Sequence, residues 1–240
     1  MPKFFFEAES FDGKFIDIQG KTVHHIVNVL RQSIGDKILL CDGNRTDYIT
    51  KLVFHEIDKK SATARFEVLD IKESLTEPPI FIRLFQSVIK WENLDLAIQK
   101  SIEVGASEIV PVVTKRSIYK LADVHKKTGR YNEIAKSAAQ QSHRGIIPKV
   151  NYPKILDETI LCKESTGFFA CCCEKKTLSK SYKSRADKID LWVGPEGGFT
   201  DAEKKSLLSN NILPFSLGPR VLRSETASIV SIVNLLLFYG

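Results

Sequence analysis

The sequence LWVGPEGGFT, residues 191–200, joins an apolar strand to a helix through a loop with three glycines. Thr200 and Glu203 form the pattern of a capping box, which predicts that the helix begins directly after the loop. Open α/β sheets bind ligands in such loops, at the carboxyl ends of their strands. Glycines let a ligand approach the backbone closely, so a nucleoside-binding loop and a tight structural turn both fit the pattern. Neither a Walker lysine nor G-x-G-x-x-G occurs, which leaves a phosphate cofactor without support.

A second segment, residues 216–228 (SLGPRVLRSETAS), repeats this order of strand, loop and helix. Ser224 can cap the helix that follows the loop. Arg220 and Arg223 lie in the loop itself, where exposed guanidinium groups bind phosphate or stabilise developing negative charge. Glu225 lies in the first helical turn, and the helix dipole alone is enough to explain a carboxylate there. The catalytic candidates in this segment are Arg220, Arg223 and Glu225.

Hydrophobic periodicity along the chain predicts two domains separated by a linker. Residues 1–72 contain short strands with glycine turns and one helix at 22–32, which indicates a small β-barrel-like domain. Residues 73–79 are polar and end in two prolines, as is typical of a linker. Residues 80–240 alternate strands with helices, which predicts a parallel sheet covered on both faces. The predicted strands lie at residues 4–6, 15–18, 37–41, 47–54, 62–69, 80–88, 108–113, 149–152, 167–172, 189–193 and 212–217.

The composition is that of an ordinary folded protein without a membrane anchor. The chain has 240 residues, of which 43% are hydrophobic and 27% are charged. No apolar run approaches the ~20 residues that span a bilayer, and the acidic N-terminal stretch does not fit a signal peptide. We therefore expect a cytoplasmic protein with no membrane partner.

The five cysteines argue against both a disulfide framework and a metal site. An odd number, with three adjacent at Cys171–Cys173, fits a reducing compartment. Zinc ligands usually need two to four residues between them to converge, so no metal is expected. The triplet is interpreted as small buried hydrophobic residues on a strand.

The net charge of +6 is concentrated in the second part of the chain. Residues 115–149 carry nine basic and two acidic side chains. A basic field of this kind attracts phosphate backbones, although a solvated helical face explains it equally well. The candidate RNA contacts in this segment are Lys115, Arg116 and Arg144.

The two glycine-containing segments together resemble a known family. GPEGG at 194–198 followed by LGPRVLRSETA at 217–227 is similar to the RsmE family of 16S rRNA uridine methyltransferases, within the SPOUT class. The resemblance covers nearly the whole chain. Its further matches lie at 25–31 (HIVNVLR), 42–43 (DG), 96–105 (LAIQKSIEVG), 108–111 (EIVP), 138–144 (AAQQSHR) and Pro148.

This resemblance implies an α/β fold, with a SPOUT-type trefoil-knot methyltransferase domain after a small PUA-like RNA-binding β-barrel domain. It implies that the knot holds S-adenosyl-L-methionine and that a homodimer completes the site. The product would be N3-methyluridine in 16S rRNA of the assembled 30S subunit. Arg220 and Arg223 would face the target nucleotide, and Arg31 would contact RNA. By the same resemblance, the cofactor would be lined by Cys172, Gly194, Glu196, Gly197, Gly198, Leu217, Gly218 and Leu222.

Two residues depart from the family pattern, because Gln140 stands where Glu is frequent and His143 where Gly is frequent. An amide cannot act as a carboxylate base, so no proton transfer is assigned to Gln140. Methylation of uracil N3 requires loss of its proton and leaves negative charge on the ring, which Arg220 or Arg223 is expected to stabilise. Glu225 is a candidate proton acceptor, although a helix start beside Arg223 makes a carboxylate a weak base.

Two other functions use the same sequence features. A non-catalytic RNA-binding protein of this fold would keep the basic segment and the first domain, without needing an open cofactor pocket. A SPOUT methyltransferase acting on another RNA is disfavoured by the LGPRVLRSETA match. Binding of S-adenosylmethionine distinguishes the first of these from an enzyme.

Overall fold

The chain divides into two compact units in the structure, which is a computed structural model. One unit contains residues 1–77 and 139–147, and the other contains 78–138 and 148–240. The chain therefore leaves the first unit after residue 77 and returns to it once. The structure describes residues 1–58, 61–160, 165–178 and 186–239.

The first unit is built on a five-stranded sheet with the spatial order β1-β3-β4-β5-β2. Neighbouring strands are antiparallel, except that β1 and β3 are parallel. Helix α1 (Lys21–His24) continues as a π-helical turn at His25–Val29, and it places Val23 and Ile26 in the core. The strands and the helix predicted for this part of the chain are confirmed. The strands are β1 (Lys3–Phe5), β2 (Phe15–Gln19), β3 (Lys37–Cys41), β4 (Thr46–Ile57) and β5 (Ala62–Glu73).

A buried ion pair holds residues 139–147 in the first unit. Nη2 of Arg144 lies 2.6 Å from Oε2 of Glu77, and both side chains are almost fully buried. Oε1 of the same carboxylate accepts hydrogen bonds from the backbone N–H groups of Gly145 and Ile146, at 2.9 and 3.1 Å. One carboxylate thus accepts hydrogen bonds from a buried guanidinium and from two backbone N–H groups.

The expected domain boundaries differ from this division in two places. The segment 73–79, expected as a linker, starts at the last residue of β5, and its Glu77 belongs to the first unit. The segment 139–147, expected in the second domain, belongs to the first unit as well. Local periodicity cannot reveal this return, because it depends on an ion pair between residues 67 positions apart.

The second unit is a sheet in which every described pairing is parallel, as predicted. Its order is β12-β10-β11-β6-β7-β8, and β9 also pairs with β7. The strands are β6 (Phe81–Ser87), β7 (Glu108–Val113), β8 (Lys149–Val150), β9 (Lys154–Ile155), β10 (Thr166–Ala170), β11 (Lys188–Val193) and β12 (Ile212–Phe215). The helices are α2 (Trp91–Glu103), α3 (Leu121–His125), α4 (Thr128–Gln141), α5 (Leu156–Ile160), α6 (Asp201–Ser209) and α7 (Ser224–Tyr239).

Continuous burial of the central strands shows that helices cover both faces of this sheet. β11 is buried at five consecutive positions, 189–193, as expected for a strand of a covered parallel sheet. Helix α2 buries Leu94, Ile98 and Ile102 on one face, and Gly105 follows it at φ +113°. No helix within the described ranges is long and apolar enough to cross a membrane.

The three adjacent cysteines lie beyond the strand to which their sequence assigns them. β10 ends at Ala170, where the backbone N–H of Cys171 donates to the carbonyl of Phe215 at 3.0 Å before the chain turns. Cys172 and Cys173 are exposed in this turn, and Cys171 is half-buried. The interpretation as buried strand residues is therefore wrong for Cys172 and Cys173. The remaining cysteine of that part of the chain, Cys162, lies outside the described residues.

Candidate cofactor and substrate site

A cavity of about 520 Å³ is lined by the segments that follow β12, β10 and β11, three neighbouring parallel strands. This volume is typical of sites for small molecules. All eight residues expected at the cofactor line the cavity, and so do both loop arginines. Those lining residues are Cys172, Gly194, Glu196, Gly197, Gly198, Leu217, Gly218, Leu222, Arg220 and Arg223.

The loop after β11 needs its glycines for close packing. A Cβ on Gly194 would lie 3.3 Å from the ring of Phe199, and a Cβ on Gly197 would lie 3.1 Å from Cδ of Arg116. Gly198 has φ +67°, a conformation that side chains disfavour. The loop is therefore both a tight turn and part of the cavity wall, so the two interpretations of its sequence are compatible.

The helix after this loop begins with the predicted capping box. The Thr200 hydroxyl accepts a hydrogen bond from the backbone of Glu203, whose carboxylate accepts one from the Thr200 N–H at 2.7 Å. The other oxygen of Glu203 accepts the backbone N–H of Lys115 at 2.8 Å. The guanidinium of Arg116, which also lines the cavity, donates to the carbonyl of Gly197. The turn after β7 thus supports the glycine loop, a role that the basic composition of this segment did not suggest.

Gln86, at the end of β6, supports the cavity wall and was not identified from the sequence. Its Nε2 donates to Oγ of Ser224 at 3.0 Å, and its Oε1 accepts from the hydroxyl of Ser228. Ser224 in turn donates to the carbonyl of Gly194 at 2.7 Å, so its hydroxyl holds the glycine loop instead of capping its own helix. The sequence signal that could have identified it is a glutamine near the end of a largely apolar strand, FIRLFQS. In the structure this glutamine is fully buried.

Two positively charged side chains in the loop before α7 line the cavity. Arg220 and Arg223 are exposed, and their side chains form no hydrogen bond or ion pair with other described residues. Glu225 is only 6% exposed, and its Oε2 has no hydrogen-bond partner in the described part of the chain. Glu225 does not itself line the cavity, although its neighbour Ser224 does.

None of the remaining candidate RNA contacts, Arg31, Lys115 and Arg144, lines this cavity. Arg31 is exposed in the first unit, and the Lys115 side chain is exposed in the second. Arg144 does not fit its predicted role, because its guanidinium is buried against Glu77 and is not accessible to a phosphate. No group of three His, Cys, Asp or Glu side chains among the described residues could hold a metal ion.

The class of protein follows from the families that the two parts of the chain match. Residues 76–236 match the family described as "RNA methyltransferase domain", and residues 18–67 match "RNA methyltransferase PUA domain". The first unit therefore carries a PUA-like domain and the second a methyltransferase fold.

Relatives and solved structures identify the particular family. The chain is 32% identical to ribosomal RNA small subunit methyltransferase E of Bacillus subtilis, over 90% of this chain and 87% of the relative. It is 31% identical to the protein of that name from Buchnera aphidicola of Acyrthosiphon pisum, over 100% and 94% of the two chains. A Neisseria gonorrhoeae structure of that protein bound to S-adenosyl methionine has a TM-score of 0.90 at 30% identity, covering 100% of this chain and 98% of its own. This chain belongs to the ribosomal RNA small subunit methyltransferase E family.

Proposed function

We propose that this protein transfers a methyl group from S-adenosylmethionine to N3 of a uridine in 16S rRNA, on the assembled 30S subunit in the cytoplasm. The observation that supports this function most directly is one cavity that joins the glycine loop to two unpaired arginines. The relatives act on small-subunit ribosomal RNA by name, and the N. gonorrhoeae relative binds S-adenosyl methionine.

The residues of the cavity fit a nucleoside cofactor. Gly194, Gly197 and Gly198 line the cavity without side chains, so main-chain groups can lie against a ligand. Leu217 and Leu222 add apolar surface on the opposite segment. S-adenosylmethionine would supply the methyl group, bound to a positively charged sulfur. The chain itself would orient that group and exclude water from it.

Arg220 and Arg223 would act on the side of the substrate. A uridine must leave its stack before an enzyme can reach N3. When the N3 proton leaves, negative charge spreads over N3, O2 and O4, and a guanidinium held in the cavity stabilises that charge. Glu225 is the candidate proton acceptor, because its buried Oε2 has no hydrogen-bond partner among the described residues. A side-chain shift would have to bring Glu225 into the cavity, since it does not line the cavity now.

The same proposal includes the trefoil knot around the cofactor, RNA binding by Arg31 and Lys115, and a homodimer. Apolar side chains on α7 support the dimer, because Leu237 is 81% exposed and Val233 and Phe238 are partly exposed. A second copy of the chain would cover this face. Sedimentation of Leu237→Asp should show monomers where the parent protein shows dimers.

The proposed function is tested by methyl transfer to 30S subunits that lack the modification, followed by mass spectrometry of the rRNA. Arg220→Ala or Arg223→Ala should lower kcat by about 100-fold, the usual effect of removing a group that stabilises an anion. Glu225→Gln tests the proton acceptor in the same assay. Lys205→Ala, an exposed change on α6, is the matched control and should leave the rate unchanged.

Calorimetry with S-adenosylmethionine separates an enzyme from an RNA-binding protein that keeps the fold. Binding to the parent protein, with similar affinity in Arg220→Ala and Arg223→Ala, is the expected result. A parent protein without measurable binding would overturn the proposed function. Near-normal transfer by one of the variants would remove that residue from the mechanism.

A further inference from the structure

Two exposed thiols lie together at the wall of the cavity. Sγ of Cys172 and Sγ of Cys173 are 4.0 Å apart, and both residues line the cavity with Cys171. Their separation is about twice the ~2.05 Å of a disulfide bond, so the two sulfur atoms are not bonded to each other. The cavity gives a ligand direct access to both sulfur atoms.

Backbone hydrogen bonds hold this dithiol in place. The N–H of Cys171 donates to Phe215 at 3.0 Å, and the N–H of Glu174 donates back to Cys171 at 3.2 Å. The Glu174 carboxylate accepts the next two backbone N–H groups at 2.7 and 2.8 Å. These backbone bonds lower the pKa of Glu174 below its ordinary value, so it is ionised at neutral pH. The turn is therefore fixed on both sides of the two thiols.

We propose that Cys172 and Cys173 form a dithiol site for trivalent arsenicals, thiophilic centres that take two sulfur ligands, and that occupation of this site excludes the cofactor. A bridging atom suits two sulfurs 4.0 Å apart better than a direct bond between them does. An adduct bonded to both residues would project into the cavity that they line. Its exclusion of the cofactor rests on the proposed function, whereas the adduct itself does not.

The reaction is a substitution and needs no oxidant. In phenylarsine oxide the arsenic–oxygen bond is replaced by two arsenic–sulfur bonds, one to each cysteine. The two thiol protons combine with the released oxygen to form water, and arsenic stays trivalent. Burial, followed by the hydrogen bond to Cys173, raises the pKa of Cys172, which keeps the Cys172 thiol protonated at neutral pH.

The site is tested on the full chain with one equivalent of phenylarsine oxide. The intact mass should increase by the mass of one phenylarsine oxide molecule minus that of one water molecule. Peptide mapping should locate the adduct at residues 172 and 173. The adduct should survive an excess of a monothiol and be removed by a dithiol. Cys172→Ser and Cys173→Ser should each lose this resistance to monothiols. Cys41→Ser, at a buried thiol, and Cys162→Ser should both keep it.

Competition with S-adenosylmethionine gives the second measurement. At about 100 times its Kd the cofactor leaves about one site in a hundred empty, so adduct formation should slow by about 100-fold. Conversely, the adduct should abolish calorimetric binding of the cofactor.

Three results would overturn the inference: no adduct at these residues, single variants with unchanged resistance to monothiols, or a modified protein with full affinity for the cofactor. If the unmodified protein fails to bind S-adenosylmethionine, the proposed function fails. The mass and monothiol measurements then still decide whether the dithiol site exists.

Discussion

His143 has a backbone conformation that glycine adopts more easily than any other residue. Its φ is +59°, and its side chain is exposed. The conformation persists because its carbonyl accepts hydrogen bonds from Lys3 at 3.1 Å and from Thr76 at 2.8 Å. The family that the sequence resembles often has glycine at this position, and the left-handed backbone gives the physical reason.

Replacing His143 with glycine should therefore stabilise the first unit. The left-handed conformation costs a side-chain-bearing residue about 1 kcal/mol, so His143→Gly should raise the free energy of unfolding by up to about 1 kcal/mol. The same change at His24, which is exposed and helical at φ −56°, should lower it by about 1 kcal/mol. Urea unfolding measures both. A decrease in stability for His143→Gly would contradict the argument.

Glu77 makes the first unit sensitive to acid. Burial raises the pKa of this carboxyl, but the Arg144 guanidinium and the N–H groups of Ile146 and Gly145 lower it by more, so it lies below the ordinary 4.5. A carboxyl whose pKa is lower in the folded state contributes stability above its unfolded pKa. That contribution is lost as the pH falls through the folded pKa. The first unit should therefore lose stability as the pH falls below about 4.5.

Glu77→Gln should destabilise the first unit by about 3 kcal/mol at pH 7, because it removes the carboxylate that neutralises the buried Arg144 charge. In this variant the free energy of unfolding should also decrease less as the pH falls below about 4.5. Asp17→Asn is the matched control, since Asp17 also forms a two-pronged pair with Arg65 but is about half exposed. That change should cost no more than about 1 kcal/mol. Equal losses from both variants in unfolding titrations would contradict this prediction.

The start of helix α7 depends on hydrogen bonds that reach β6 and the loop after β11. Ser224 donates to Gly194 and accepts from Gln86, all within the second unit. Removal of the hydroxyl takes this donor from the Gly194 carbonyl and leaves Gln86 Nε2 with only its bond to the Ser87 carbonyl. The loss therefore affects the glycine loop as well as the helix.

Ser224→Ala should destabilise the second unit by about 2 kcal/mol and weaken binding of S-adenosylmethionine. Ser231→Ala on the same helix is the control, because its hydroxyl is fully buried and has no partner among the described residues. That change removes an unsatisfied group and should be neutral or slightly stabilising. Thermal unfolding and calorimetry measure the two effects. If both serines respond alike, the hydrogen-bond link does not support the loop.

Elements whose signals are local could be predicted from the sequence. The capping box at Thr200 and Glu203 and the glycine after α2 each depend on residues a few positions apart. The turn at Cys172 could not be predicted in this way, because strand β10 stops where its register with β12 ends. Gln86 was missed because its partners are 138 and 142 positions away, beyond any periodic pattern.

The division of the whole chain also depends on distant pairings. The sequence predicts a β-barrel-like first domain and a parallel-sheet second domain, because strand ends and glycine loops carry local signals. The structure places the residues expected at the cofactor around one cavity. The sequence does not predict that residues 139–147 complete the first unit. That segment is held by Glu77 and by close packing at Gly145, where a Cβ would lie 2.6 Å from that of Ser74.

Residues 1–77 should consequently fold weakly without residues 139–147. The fragment alone leaves Glu77 without its guanidinium and removes one acceptor, the His143 carbonyl, from Lys3. Joining 139–147 to it through a flexible Gly/Ser linker supplies the segment at a local concentration of about millimolar and should restore a cooperative thermal transition. The same fusion with Arg144→Ala should not restore it, because the buried carboxylate stays unpaired. A fragment 1–77 that melts as cooperatively as the fusion would show that the returning segment is not required.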